Sequence, residues 1–327
     1  MRPAVLCEGA PRDLGLDQGT ALRPAIRDWA ARNGASSGRG FWSSIRPLAS
    51  GAVLGQGVGR EVLRHYPHSA ERMDGIARGA EVSLEAVMRL SIASDPLASN
   101  ASANQLSAYA ALTGGESTFG LTRSLPYQAS PGCQWIVRRS LPEIGFNSVE
   151  VTLPWLVSAV AGVNEKGLAV AILPEPDERP GVTSAPPAIL LVQDCLQRFA
   201  DLESALGWCA GRPAAAGASI LMGDESGDSA AVLLGPKGCR VVRSDAGEPQ
   251  AIVRGSDEER VRDLHKQLEA GDAPLDLLLS AGAGGAAVHL NPRERSLSLW
   301  LGDIELRVAS AEPDRAVANE QVAGTPS

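Results

Sequence analysis

From about residue 105 to about residue 174 the chain gives up helical spacing for short apolar runs separated by turn residues. That change of period constrains the fold more than any other feature. STFGLTRSL, QWIVRRSL, NSVEVTL, VSAVAGV and GLAVAIL follow one another, each with the length and composition of a β-strand. NEKG, Asn164 to Gly167, joins the last two as a tight hairpin. Upstream, residues 1 to about 98 read mainly as helix, with Leu14, Leu22, Ile26 and Trp29 at roughly helical spacing. Pro67 interrupts one helix and Ser83 is placed to cap another. Downstream, PPAILLVQDCLQRFADLESALGWCA predicts two helices, the second capped by Asp201. ASILMGD, SAAVLLG and CRVVRS read as strands, DEERVRDLHKQLEAG as a helix, and LSLWLGD and IELRVAS as the last strands. Strands, a helical pair and further strands suggest two sheets with helices on their outer faces, a layered α+β arrangement.

Composition narrows what such a fold can do. The 327 residues are 44% hydrophobic, enough for one large domain or two ordinary ones. A net charge of -8 and only 4% aromatic residues argue against nucleic acid, which demands phosphate neutralisation and stacking platforms. No stretch approaches the roughly 18 apolar residues of a membrane span, and MRPAVLCEGAPRDLG reads as neither signal peptide nor anchor. The expectation is a cytoplasmic protein without a membrane partner. Cys7, Cys133, Cys195, Cys209 and Cys239 contain no C-x-x-C pair and read as reduced thiols. His65 and His68 lack the neighbours of a metal site, and the glycines at 282–285 lack the G-K-[ST] of a phosphate cradle. No cofactor is expected.

Five stretches, in order, carry a family resemblance. They are APRDLGLDQGTALRPAI, MDGIARGAEVSLEAVMRL, TLPWLVSAVAGVNEKGLAV, APPAILLVQDCLQRFADLESALGW and ASILMGDESGDSAAVLLGP. Together they resemble the autoproteolytic acyltransferase and amidohydrolase family typified by isopenicillin N acyltransferase. The resemblance implies an N-terminal nucleophile hydrolase fold: a four-layer αββα sandwich with a helical pro-region. The expected division is a helical segment at 1–104, the sandwich at 105–312 and a polar tail at 313–327. The opening stretch is expected to place a Gly-rich turn before its helix.

In that family the precursor cuts itself before a Cys, whose own α-amino group then acts as the base for the thiol. Here LSAYAA occupies the matching place, so Leu106 stands where the Cys is expected. The family's later G-R-N-x-D-aromatic word reads TRSLPY: Arg123, Leu125 and Tyr127 match, whereas Thr122, Ser124 and Pro126 do not. Proline supplies neither carboxylate nor N–H. Three explanations stand. Ser107 is the nucleophile, its hydroxyl activated by the new amine; or Cys133 has taken over; or hydrolase chemistry has been lost and the chain stays uncut.

The resemblance also nominates the remaining site residues. Arg123 would help set nucleophile and substrate, or else be salt-bridged on a sheet face. Asn164 would donate to an oxyanion, or else serve the turn. Arg260 matches a family Arg or forms a salt bridge on an acidic helix. Tyr109 and Tyr127 would line the cleft or pack in the core, and His289 resembles a late family His. The expected function is a divergent acyl-transferase homologue without its Cys nucleophile. It would bind an acyl amide or activated acyl substrate, or perform non-hydrolytic chemistry such as cyclisation, in a biosynthetic setting. The alternative is an active amidohydrolase or acyltransferase self-processed between Leu106 and Ser107. A small-molecule acyl substrate is the expected partner, beside a homodimer or a biosynthetic partner protein.

Overall fold

The most continuous apolar runs become strands covered on both faces. A computed structural model describes residues 4–32, 59–92, 109–112, 120–125, 135–174, 185–214, 217–235, 238–243, 251–254, 259, 262–263, 266–267, 270, 286–301 and 304–310. Within it, β5 (Ser148–Thr152), β6 (Ala161–Asn164), β8 (Ala218–Gly223) and β9 (Ser229–Gly235) are buried along almost their whole length. Strands buried on both faces lose the inward-outward alternation of a half-exposed sheet. With β1 (Val5–Gly9), β4 (Ile136–Pro142), β7 (Ala169–Pro174) and β10 (Gly238–Arg243) they form an eight-stranded sheet. Its order is β1-β4-β5-β6-β7-β8-β9-β10, antiparallel except for the β1–β4 pair.

A second sheet has six strands: β2 (Tyr109–Leu112), β3 (Gly120–Leu125), β11 (Ala251–Arg254), β12 (Ala286–Asn291), β13 (Ser296–Leu301) and β14 (Ile304–Ala309). Its order is β11-β2-β3-β12-β13-β14, antiparallel throughout. β2, β3, β12 and β13 pack against β5 to β8, so the two sheets stack face to face. Helices α6 (Ile189–Arg198) and α7 (Leu202–Gly211) lie on the eight-stranded sheet, α6 over β6 and β7, α7 over β9 and β10. The expected α+β sandwich is therefore present. Residues 259, 262–263 and 266–267 are helical, within the stretch expected to form a helix after β11.

Local signals place the element ends. Asp201 accepts from the Ser204 N–H at 2.8 Å and caps α7 as its position predicts. The Asp224 carboxylate in the β8–β9 turn accepts from the Leu202 N–H at 2.9 Å, tying the same helix start to the sheet. Ser83 caps α5 (Leu84–Ile92) through the Ala86 N–H, and Pro67 opens α4 (Pro67–Ala80) after the helical residues 59–65, α3.

The N-terminal segment departs from the all-helical expectation. Its β1 joins the sandwich, pairing parallel to β4 with Val5 opposite Arg138 and Gly9 opposite Pro142. Where the opening stretch is expected to place a Gly-rich turn before its helix, its two glycines, Gly15 and Gly19, lie instead inside α1 (Pro11–Ala21). A Cβ on Gly15 would sit 2.0 Å from the Arg72 carbonyl oxygen, and one on Gly75 of α4 would sit 2.0 Å from that of Arg12. The glycines let two helix backbones touch. Trp29 of α2 (Arg23–Arg32) stacks on Trp155 with ring centres 4.5 Å apart and planes 3° from parallel. No described helix is long and apolar enough to cross a membrane.

Candidate functional site

Strand register brings two of the nominated residues together. β2 starts at Tyr109, two positions after Ser107, and Tyr109 stands opposite Arg123 of β3. On the other side of β2, Tyr109 stands opposite Arg254 of β11. The same row continues from Arg123 to Val288 of β12, Leu299 of β13 and Leu306 of β14. Val288, Leu299 and Leu306 are buried in the hydrophobic core. The start of β2 thus has an arginine position on each flanking strand, in a sheet stacked against β7 and β8. Ser107, Tyr127, Cys133 and Arg260 lie outside the described residues.

Asn164 sits fully buried at the end of β6, where its amide is entirely engaged in holding structure. Nδ2 donates to the Leu196 carbonyl at 2.9 Å and to the Phe199 carbonyl at 2.8 Å, both at the C-terminus of α6. Oδ1 accepts from the N–H groups of Lys166 and Leu168, each at 3.0 Å, and so shapes the NEKG turn. Gly167 completes that turn with φ +83. A carboxamide has two donor hydrogens, and both are taken. The geometry supports the turn reading of Asn164 and leaves it no proton for an oxyanion.

A polar joint lies between the eight-stranded sheet and the N-terminal helices. Arg138 is 0% exposed and uses every guanidinium N–H. Nε donates to Glu150 Oε2 at 2.7 Å, Nη1 to Gln18 Oε1 at 2.6 Å and the Leu156 carbonyl at 3.2 Å, and Nη2 to Gln193 Oε1 at 3.0 Å and the Val157 carbonyl at 3.2 Å. Gln18 Nε2 in turn donates to the carbonyls of Pro154 and Leu156. Burial would push the Glu150 carboxyl up. The guanidinium charges of Arg138 and then Arg72, with hydrogen bonds from Ser148 and Gln193, outweigh it and hold the group below the usual range. Perturbed groups of this kind can mark reaction centres. Here neither partner has exposed surface and Arg138 has no spare N–H, so this is a structural joint.

Arg72 of α4 extends the joint. It is 2% exposed and donates to Ser140 Oγ at 3.0 Å beside Cys7. Burial and then the Arg138 charge lower it to about 10. Burial likewise pushes the Cys7 thiol up despite both arginines. His289, opposite Thr122 and Ser298, is lowered first by burial and also by Arg307, against an opposing effect of Glu294. A neutral imidazole follows at neutral pH. Among the described residues no group of three His, Cys, Asp or Glu side chains could hold a metal ion.

Sequence reasoning missed Arg254 because AIVR is too short to stand out as a strand; its bracketing by Pro249 and Gly255 was the available signal. It missed Arg138 and Glu150 too. Charges inside otherwise apolar runs, Arg138 and Arg139 in IVRRS and Glu150 in SVEVT, were the available mark of an internal ion pair.

No protein-family profile and no curated protein matches the sequence. Among solved structures, penicillin V acylase from Agrobacterium tumefaciens is similar at 15% identity over 58% of this chain and 82% of that one, with a TM-score of 0.42. A mutant conjugated bile acid hydrolase from Clostridium perfringens is similar at 12% identity over 65% and 92%, TM-score 0.39. A second variant of that hydrolase gives 9% over 63% and 84%, TM-score 0.37. With likenesses this distant, the architecture rests on the strand order and packing described above.

Proposed function

We propose that the chain is a divergent N-terminal nucleophile hydrolase-type protein that stays uncut and binds a small acyl amide or activated acyl substrate at the start of β2. The observation that carries this reading is the register at Tyr109. It sets Arg123 and Arg254 on the two flanking strands, while the preceding residues, NQLSA, contain no cysteine. Cationic positions beside the strand start suit the polar end of an acyl group. The full engagement of Asn164 removes the side-chain donor that the resemblance nominated for an oxyanion, which supports a binding role.

Ser107 supports a second reading, since it lies two residues before β2 and a freed amine could activate its hydroxyl. Intact-mass spectrometry of denatured, freshly purified protein separates the two. One species near 34.0 kDa is the expected result. Two fragments, the larger beginning at Ser107, would establish the self-processing hydrolase in its place.

A further inference from the structure

Cys195 of α6 and Cys209 of α7 lie with their sulfurs 3.5 Å apart, and both side chains are wholly buried. The two helices are anchored very differently. α6 is fixed to the sheet by Asn164 at its C-terminal carbonyls, by the Phe146 N–H on the Gln197 carbonyl at 2.9 Å, and by Gln193 on Glu150 at 2.9 Å. Apart from apolar packing, α7 is held among the described residues by the Leu202 N–H on Asp224, by the Trp208 indole N–H on Asp194 at 3.0 Å, by the Arg198 guanidinium 4.6 Å over the Trp208 ring, and by an exposed Arg243–Glu203 pair. A disulfide requires the sulfurs to close to about 2.05 Å. The remaining approach, about 1.5 Å, is the scale of a side-chain adjustment with a slight shift of the less firmly held helix.

We propose that Cys195 and Cys209 form a peroxide-driven, reversible disulfide that locks α7 onto α6. Hydrogen peroxide converts one thiol to a sulfenic acid and leaves as one water. The second sulfur then attacks the sulfenic sulfur, forming the S–S bond and expelling the hydroxyl, which departs with the second thiol proton as another water. Two thiols and one peroxide become one disulfide and two waters, the thiols supplying both electrons. Both side chains are wholly buried, so bulky alkylating or disulfide reagents are excluded from the folded chain and only a small oxidant reaches the pair. The hydrogen bond to Cys209 and then burial hold the Cys195 thiol above the ordinary range, so the oxidation is slow and needs sustained peroxide. Cys239 on β10 is exposed and would react first, so it is best removed.

The test uses the full chain carrying Cys239→Ser, treated with graded hydrogen peroxide, quenched, unfolded in an alkylating agent and mapped without reduction. The expected result is a peptide pair joined through Cys195 and Cys209, absent from an added Cys209→Ser variant. Closing this loop should also raise the Tm by several degrees, and a dithiol should reverse the gain. Recovery of both cysteines fully alkylated after prolonged peroxide would overturn the proposal. So would their conversion to sulfinic or sulfonic acid without a cross-link.

Discussion

Arg138 donates from Nε to Glu150 Oε2 across 2.7 Å, and neither side chain has any exposed surface. Breaking such a pair from one side leaves a buried charge without its counterpart, at a cost of about 3–5 kcal/mol. Glu150→Gln should lower the unfolding free energy by that amount, measured by urea denaturation at pH 7. The pH dependence has a definite sign. Arginine charges hold the folded carboxyl below its unfolded value of about 4.3. The stabilisation is complete above that value and is lost as pH falls through it towards the lower folded value. Stepwise acidification should show this loss, and Glu150→Gln should flatten it.

Arg72 should behave differently from Arg138. Among the described residues its Nε and Nη1 meet no oxygen or nitrogen acceptor, and burial with the neighbouring Arg138 charge lowers it to about 10 despite the adjacent Cys7. A cation depressed in this way destabilises the fold while charged, and the penalty fades as pH rises through the folded value. Arg72→Met should therefore fall within about 1 kcal/mol of the parent chain or exceed it, whereas Arg138→Met should lose about 3–5 kcal/mol. Equal losses in parallel urea titrations would contradict the distinction.

The α1–α4 crossing admits no side chain at its centre. Gly75→Ala places a methyl 2.0 Å from the Arg12 carbonyl oxygen, and backbone cannot rotate aside as a side chain can. The helices must separate, which should cost about 3 kcal/mol or more. Gly207, inside α7, has open space for 4 Å around the place a Cβ would take. Gly207→Ala should instead stabilise by roughly 0.5–1 kcal/mol through helix propensity. Thermal melts of the two variants should move in opposite directions.

Asn164 offers a test of structural against catalytic use. Four hydrogen bonds from one buried carboxamide, at about 1 kcal/mol each, put the loss for Asn164→Ala near 3–4 kcal/mol. Faster amide exchange should follow at Lys166, Leu168 and the last turn of α6. A variant of unchanged stability would return Asn164 to the site.

How much of this was legible in the sequence depended on the range of the interaction. The NEKG hairpin, the Ser83 and Asp201 caps and the strands from β4 to β9 follow from neighbours a few residues apart, so their signals are local. β5 and β6 are as short as β1, β2 and β11, but they lie in apolar runs bounded by turns, whereas β1, β2 and β11 exist because distant partners pair with them. The glycines of the opening stretch suggested a turn before the helix, because a glycine's need for close approach shows only once the other helix is in place. Asn164 has the same local sequence whether it serves a turn or an oxyanion. The deciding carbonyls belong to Leu196 and Phe199, on a helix more than thirty residues downstream. The register row at Tyr109 was half legible, Arg123 through its motif and Arg254 not at all.

The parallel pairing of β1 with β4 also sets an order of assembly. During synthesis Val5 emerges long before Arg138, the residue it will face, so this edge of the eight-stranded sheet cannot close until the chain has been extended through β4. Contacts of such high sequence separation form late and slow folding. In the interval Leu14, Ile26 and Met73, destined for full burial, can be covered only by the N-terminal helices and not by the sheet. β1 is thus held open until β4 is made, and the helices that follow it are where a molecular chaperone would have most to shield.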